Sequence, residues 1–105
     1  MQVDIQARPF KLTGGLKHAV RNSLKPLRKR FGDALHRVQV RLDDINGKRG
    51  GIDKQCLIVV DAGQRQTVVA RALSEDLYQS ISMAGQRAER ALARNMGKRR
   101  AYAMR

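Results

Sequence analysis

The sequence predicts an α+β fold in the order β-α-β-β-β-α: a four-stranded sheet with two helices packed on one face. Three observations point there. Short runs of alternating apolar and polar residues occur at the start and in the middle of the chain. Two longer stretches carry apolar residues at spacings of three and four. The middle strands follow one another without an intervening helix, which favours an antiparallel-rich sheet with both helices on the same side.

Gln2–Arg8 alternates Val3, Ile5 and Ala7 with Gln2, Asp4 and Gln6, the pattern of a half-buried strand. Pro9 ends it, because proline has no amide to give to the ladder. Thr13 is placed to cap a helix whose inner stripe is Leu16, Val20, Leu24, Leu27 and Phe31, with Gly32 as its stop. Burying such side chains yields roughly 1.5–3 kcal/mol each before ordering costs. Pro26 removes a helical hydrogen bond, so a kink or break is expected there.

His36–Asp43 sets Val38, Val40 and Leu42 opposite Arg37, Gln39 and Arg41. The nearly continuous apolar run within Gln55–Asp61 reads as a central strand. Gln66–Ala72 follows after a short turn at 62–65, so the two form a hairpin. The glycine-rich loop INGKRGGID between the first two of these strands is long enough to be mobile. Ser74 is read as the cap of the last helix, with Glu75 and Asp76 in its first turn. Leu77, Ile81, Ala84, Ala88, Ala91 and Leu92 form its inner stripe, and Gly97 is its expected end. Residues 1–97 are therefore read as a single α+β domain and 98–105 as a basic C-terminal tail.

With 105 residues, 42% hydrophobic and 30% charged, the chain suits one small globular domain. It shows no apolar run long enough for a membrane helix and no secretion-signal pattern. A lone Cys56 suits a reducing compartment, so a cytoplasmic location without membrane contact is expected.

Catalysis requires convergent acids, bases or nucleophiles, and the pattern offers none. His18 and His36 lie on different elements, and Cys56 sits in an apolar strand. One cysteine and two histidines are too few for zinc. Asp43, Asp44, Asn46 and Asp53 flank the glycine-rich loop without calcium-loop spacing, and Lys48 and Arg49 lie among them. The loop is no phosphate loop either, since no lysine–serine/threonine pair leads into a helix. The expectation is a non-enzyme with no cofactor, no metal and no small-molecule substrate.

The charge is the informative quantity: 22 Lys and Arg against 9 Asp and Glu give +13. Such an excess opposes compaction unless a polyanion neutralises it. The first helix carries Lys17, Arg21, Lys25, Arg28, Lys29 and Arg30, of which Lys17, Arg21, Lys25 and Arg28 form a ridge. The second carries Arg87, Arg90, Arg94 and Lys98, continued by Arg99 and Arg100. A single basic row is ordinarily just a solvated helix face. Two on neighbouring helices point to phosphates, with Lys17, Arg21, Lys25, Arg28, Lys29, Arg87, Arg90, Arg94, Lys98, Arg99 and Arg100 as candidate contacts. Aromatic residues make up only 4%, too few for base-stacking platforms. Folded RNA, gripped by charge and shape, is the favoured target.

Several segments, in order, resemble the ribosome hibernation-promoting factors, a family also called ribosome-associated inhibitor, protein Y or sigma-54 modulation protein. They are MQVDIQ, the LT before Leu16, LRKRFGD closing the first helix and EDLYQSI opening the second, followed by Arg87, Arg90, Arg94 and Lys98 where the family has its basic helix face. The resemblance implies a stress-response factor, short and divergent in form, that docks on the small ribosomal subunit. There it would occupy the messenger and transfer RNA channel and inhibit translation without chemistry, with residues 1–97 as the ribosome-binding domain. Ser23 and Pro26 stand where relatives often carry lysines, and the chain shows neither a second dimerising domain nor an acidic tail. Two alternatives stay open: a general RNA- or DNA-binding module on the same scaffold, and a regulatory protein–protein adaptor. The pattern leaves the oligomeric state open.

Overall fold

The computed structural model describes residues 1–45, 51–63 and 66–103, with side chains through residue 95. The elements follow the expected order: β1 (Gln2–Arg8), α1 (Gly14–Phe31), a short 3-10 turn (Gly32–Ala34), β2 (Arg37–Asp44), β3 (Lys54–Asp61), β4 (Thr67–Ser74) and α2 (Leu77–Ala103). The strands lie side by side in sequence order. β2, β3 and β4 are antiparallel neighbours, while β1 runs parallel to β2. The sheet is thus mixed, because the chain returns from β1 through α1 and arrives at β2 in the same direction.

The register sorts the strands into two faces. Val3, Val38, Val60 and Val68 share one level, as do Ile5, Val40, Ile58 and Ala70, and these sit on the helical side with Leu42 and Cys56. Leu16, Val20, Leu24 and Leu27 of α1 and Ile81, Ala84, Ala88 and Leu92 of α2 complete the core. α2 lies across β3 and β4 with α1 beside it. The buried Ser80 hydroxyl fastens α2 to β3 by donating to the Lys54 carbonyl at 2.6 Å. The alternate residues of every strand form an open face that no helix covers.

Local chemistry explains the boundaries. The Thr13 hydroxyl accepts from the Leu16 amide at 3.2 Å and caps α1, as its sequence position suggests. Pro26 does not break α1: it is exposed, and the helix continues through it to Phe31. Gly32 stays in right-handed geometry and opens the 3-10 turn, so it is no left-handed stop. At the second helix the cap moves from Ser74 to Asp76. Ser74 is still paired with Lys54 in the sheet, and its hydroxyl spans the bend between the Asp76 amide and the Gln79 side chain. The Asp76 carboxylate accepts from the Tyr78 amide, and its carbonyl accepts the first helical bond from Ser80. Glu75 and Asp76 therefore precede the first turn rather than lie within it. Gly97 does not end α2, which runs to Ala103. A helical glycine costs only about 1 kcal/mol, and the surrounding Lys, Arg, Ala and Met residues favour helix.

The β3–β4 turn closes as a hairpin. Gly63 adopts φ 75°, and its amide is held by the Asp61 carboxylate at 2.9 Å. Within the glycine-rich loop and the hairpin turn, residues 46–50, 64 and 65 lie outside the described residues.

Candidate nucleic-acid interface

The helical layer carries all the candidate basic residues, and its composition is lopsided: Glu89 is the one carboxylate on either helix. Lys17, Arg21, Lys25, Arg28 and Lys29 are exposed on α1, and Arg87, Arg90 and Arg94 on α2. The side chains of Lys98, Arg99 and Arg100 lie outside the described residues.

The two basic rows do not abut. The helices meet where Gly85 lies against Ser23: a Cβ at Gly85 would come within 2.8 Å of the Ser23 carbonyl oxygen. Ser23 turns its hydroxyl back to the Val20 carbonyl at 2.8 Å. It is a packing residue, which explains a small side chain at this point of a basic helix. At about 100° per residue, Lys17, Arg21, Lys25 and Arg28 lie about 120–160° round α1 from Ser23. Their row therefore borders the outer flank of the layer, and Lys29 faces outward beside it. On α2, Arg87, Arg90 and Arg94 lie about 140–180° from Gly85 by the same reckoning. Among the described side chains the cations form a belt across the outer side of the helical layer rather than one double ridge.

Arg30 lies near the seam between the helices. Its guanidinium is 3.6 Å from the Glu89 carboxylate and stacks 5.2 Å from the Phe31 ring centre. With Gln86, Ala93, Arg90 and Arg94 this pair lines an open groove of about 470 Å³. Arg30 is the groove residue that the ridge pattern omits. Its signal is a spacing of seven from Ser23, two helical turns along the packing line. Arg87 moves the other way: its guanidinium donates to the Arg71 carbonyl on edge strand β4 at 2.7 Å. That bond directs the side chain to the flank of the sheet and shields part of an exposed strand edge.

The remaining titratable groups serve structure. The Lys54 ammonium bridges Asp44 at 2.9 Å and Asp53 at 3.0 Å, and these hydrogen bonds raise its pKa. Asp44 and Asp53 at the glycine-rich loop thus already hold a cation of the chain itself. His18 is exposed and contacts Asn22. Burial pushes the Cys56 thiol up to about 12, which keeps it protonated and unreactive. The raised value means that its stabilising contribution is complete below the ordinary value of 9.0 and is lost as pH climbs towards 12. A disulfide reagent at pH 8 is expected to label native protein at least about 100-fold more slowly than urea-unfolded protein, since labelling awaits opening of the core. Equal rates would place Cys56 at the surface.

No helix among the described residues is long and apolar enough to cross a membrane. Residues 3–100 match the family described as sigma 54 modulation protein / S30EA ribosomal protein. The fold is similar to that of a ribosomal subunit interface protein from Coxiella burnetii, with a TM-score of 0.75 at 18% identity, covering 92% of this chain and 99% of the other. It is also similar to the N-terminal domain of protein Y from Thermus thermophilus, with a TM-score of 0.74 at 25% identity, covering 90% and 98%. No curated protein sequence matches the chain.

Proposed function

This chain belongs to the sigma 54 modulation protein / S30EA ribosomal protein family, and from that premise we propose that it is a non-enzymatic ribosome-associated hibernation factor. It binds ribosomal RNA of the small subunit through its helical layer and occupies the channel for messenger and transfer RNA. The observation that carries this reading is the exposed cationic belt with Glu89 as its one carboxylate. Such a belt suits a concave RNA wall approached from several sides. Phosphate contacts of this kind position a protein without reading sequence, and the scarcity of aromatic rings agrees with recognition by shape. Inhibition then follows from occupancy: a domain lodged in the channel excludes the RNAs that translation requires.

The test is co-sedimentation with purified small subunits across a salt series. If about six phosphates are neutralised, log affinity falls with log salt at a slope of about −4 to −5. Absence from small subunits at low salt overturns the proposal. Equal affinity for arbitrary duplexes or single strands would instead identify a general nucleic-acid module.

A further inference from the structure

We propose that the open face of the sheet is a self-association surface, on which a second copy of this chain sits face to face about a two-fold axis lying across the strands. The argument begins with charge. Among the described residues the helices carry cations almost alone, whereas the open face sets Asp4, Asp43 and Asp61 among four arginines. Three carboxylates make this face a poor seat for phosphate. Its β3–β4 half also carries four apolar residues: Val69 is 60% and Leu73 37% exposed, and Leu57 and Val59 are half-buried beside them.

The register then selects the occupant. On β2 the open-face residues run Arg37, Gln39, Arg41, Asp43, and on β3 Val59 is level with Gln39 and Leu57 with Arg41. A two-fold axis between those two levels sets Val59 on Leu57 of the second copy, and Arg37 on Asp43 of the second copy. Arg41 then meets Gln39, and Val69 meets the aliphatic stem of Arg71. The same operation sets no like charges opposite one another on any of the four strands. Asp43 is in no ion pair among the described residues, and Arg37, which holds Asp4 of its own chain at 2.7 Å, has further guanidinium donors to offer it across the interface. Aligned packing of two sheets needs no rearrangement of either.

Area sets the strength. Four strands about 4.8 Å apart and about 25 Å long present about 500 Å² per copy, hence about 1,000 Å² in all. That is the lower limit for specific association. The dimer is therefore weak and concentration-dependent, and mutual repulsion of two +13 chains opposes it at low ionic strength.

Sedimentation equilibrium of the full, nuclease-treated chain from 5 to 200 µM (about the range a weak interface requires) tests the proposal. The expected result is a monomer–dimer equilibrium that tightens as salt rises, the reverse of the salt dependence of RNA binding. Val69→Arg is expected to raise the dissociation constant at least about tenfold, because it removes an apolar contact and sets arginine against Arg71 of the second copy. Asp43→Arg, which sets arginine against Arg37, weakens the dimer without touching the apolar patch. Both variants should keep the wild-type circular dichroism spectrum and small-subunit binding, because neither position lies on the helical layer. A monomer at every concentration and salt overturns the proposal, as does a dimer indifferent to both substitutions.

Discussion

Replacement of Arg30, Arg90 and Arg94 together by glutamate is expected to lower affinity for small ribosomal subunits by about three orders of magnitude at physiological salt. These side chains line the groove between α1 and α2. Reversal removes up to three phosphate contacts and places like charge where phosphate approaches. The corresponding glutamine variant separates loss from repulsion, flattening the salt slope by about one unit per contact removed. Fold stability should change little. Arg30 and Glu89 are 57% and 31% exposed, and an ion pair that open contributes at most about 1 kcal/mol. Arg87→Gln is the internal comparison: its guanidinium is already committed to the Arg71 carbonyl, so a smaller loss than for Arg90→Gln is expected. Wild-type affinity in the triple glutamate variant would remove this groove from the interface.

The second large effect is on stability. Gly85→Ala improves helix propensity by about 1 kcal/mol, yet a net destabilisation of about 1–3 kcal/mol is expected. The added Cβ would lie 2.8 Å from the Ser23 carbonyl oxygen and 3.0 Å from the Ser23 Cβ. The nearer obstacle is backbone, so no rotamer change relieves it and the helices must separate. Ser23→Gly removes only the farther contact and should restore little of the loss. Gly85→Leu is expected to cost more still. Urea unfolding with an unchanged m-value would attribute the effect to the folded state. A stabilised Gly85→Ala would show that the helices can move apart freely.

Period-two alternation locates β1 and β2, a nearly continuous apolar run locates β3 and the short turn before it locates β4, each to within two residues of its bounds. The apolar stripe and Thr13 located α1 for the same kind of local reason. The cationic residues were also legible individually, since charge is a property of each side chain. Their arrangement was not. Where a helix turns its basic row depends on which line of it meets its neighbour, and that line runs through Ser23 and Gly85, residues with no charge at all. The same contact draws Arg30 into a groove from outside the obvious ridge, and the edge of β4 draws Arg87 away. Ser74 misled because its hydroxyl does bridge the bend, while the sheet keeps its backbone until the chain has passed it. Gly97 misled because a glycine interrupts a helix only when something else favours stopping.

The parallel pairing of β1 has a consequence for how the molecule is assembled. β2, β3, β4 and α2 follow one another in space as in sequence, so their contacts close short stretches of chain and are quickly formed. β1 is made first on the translating ribosome, yet its partner residues Arg37–Asp44 emerge only after the whole of α1. Until then Val3 and Ile5 have nothing to rest against, and joining them closes a loop of roughly thirty residues. Of the four strands β1 is thus made first, yet its pairing must wait until α1 and β2 have followed it.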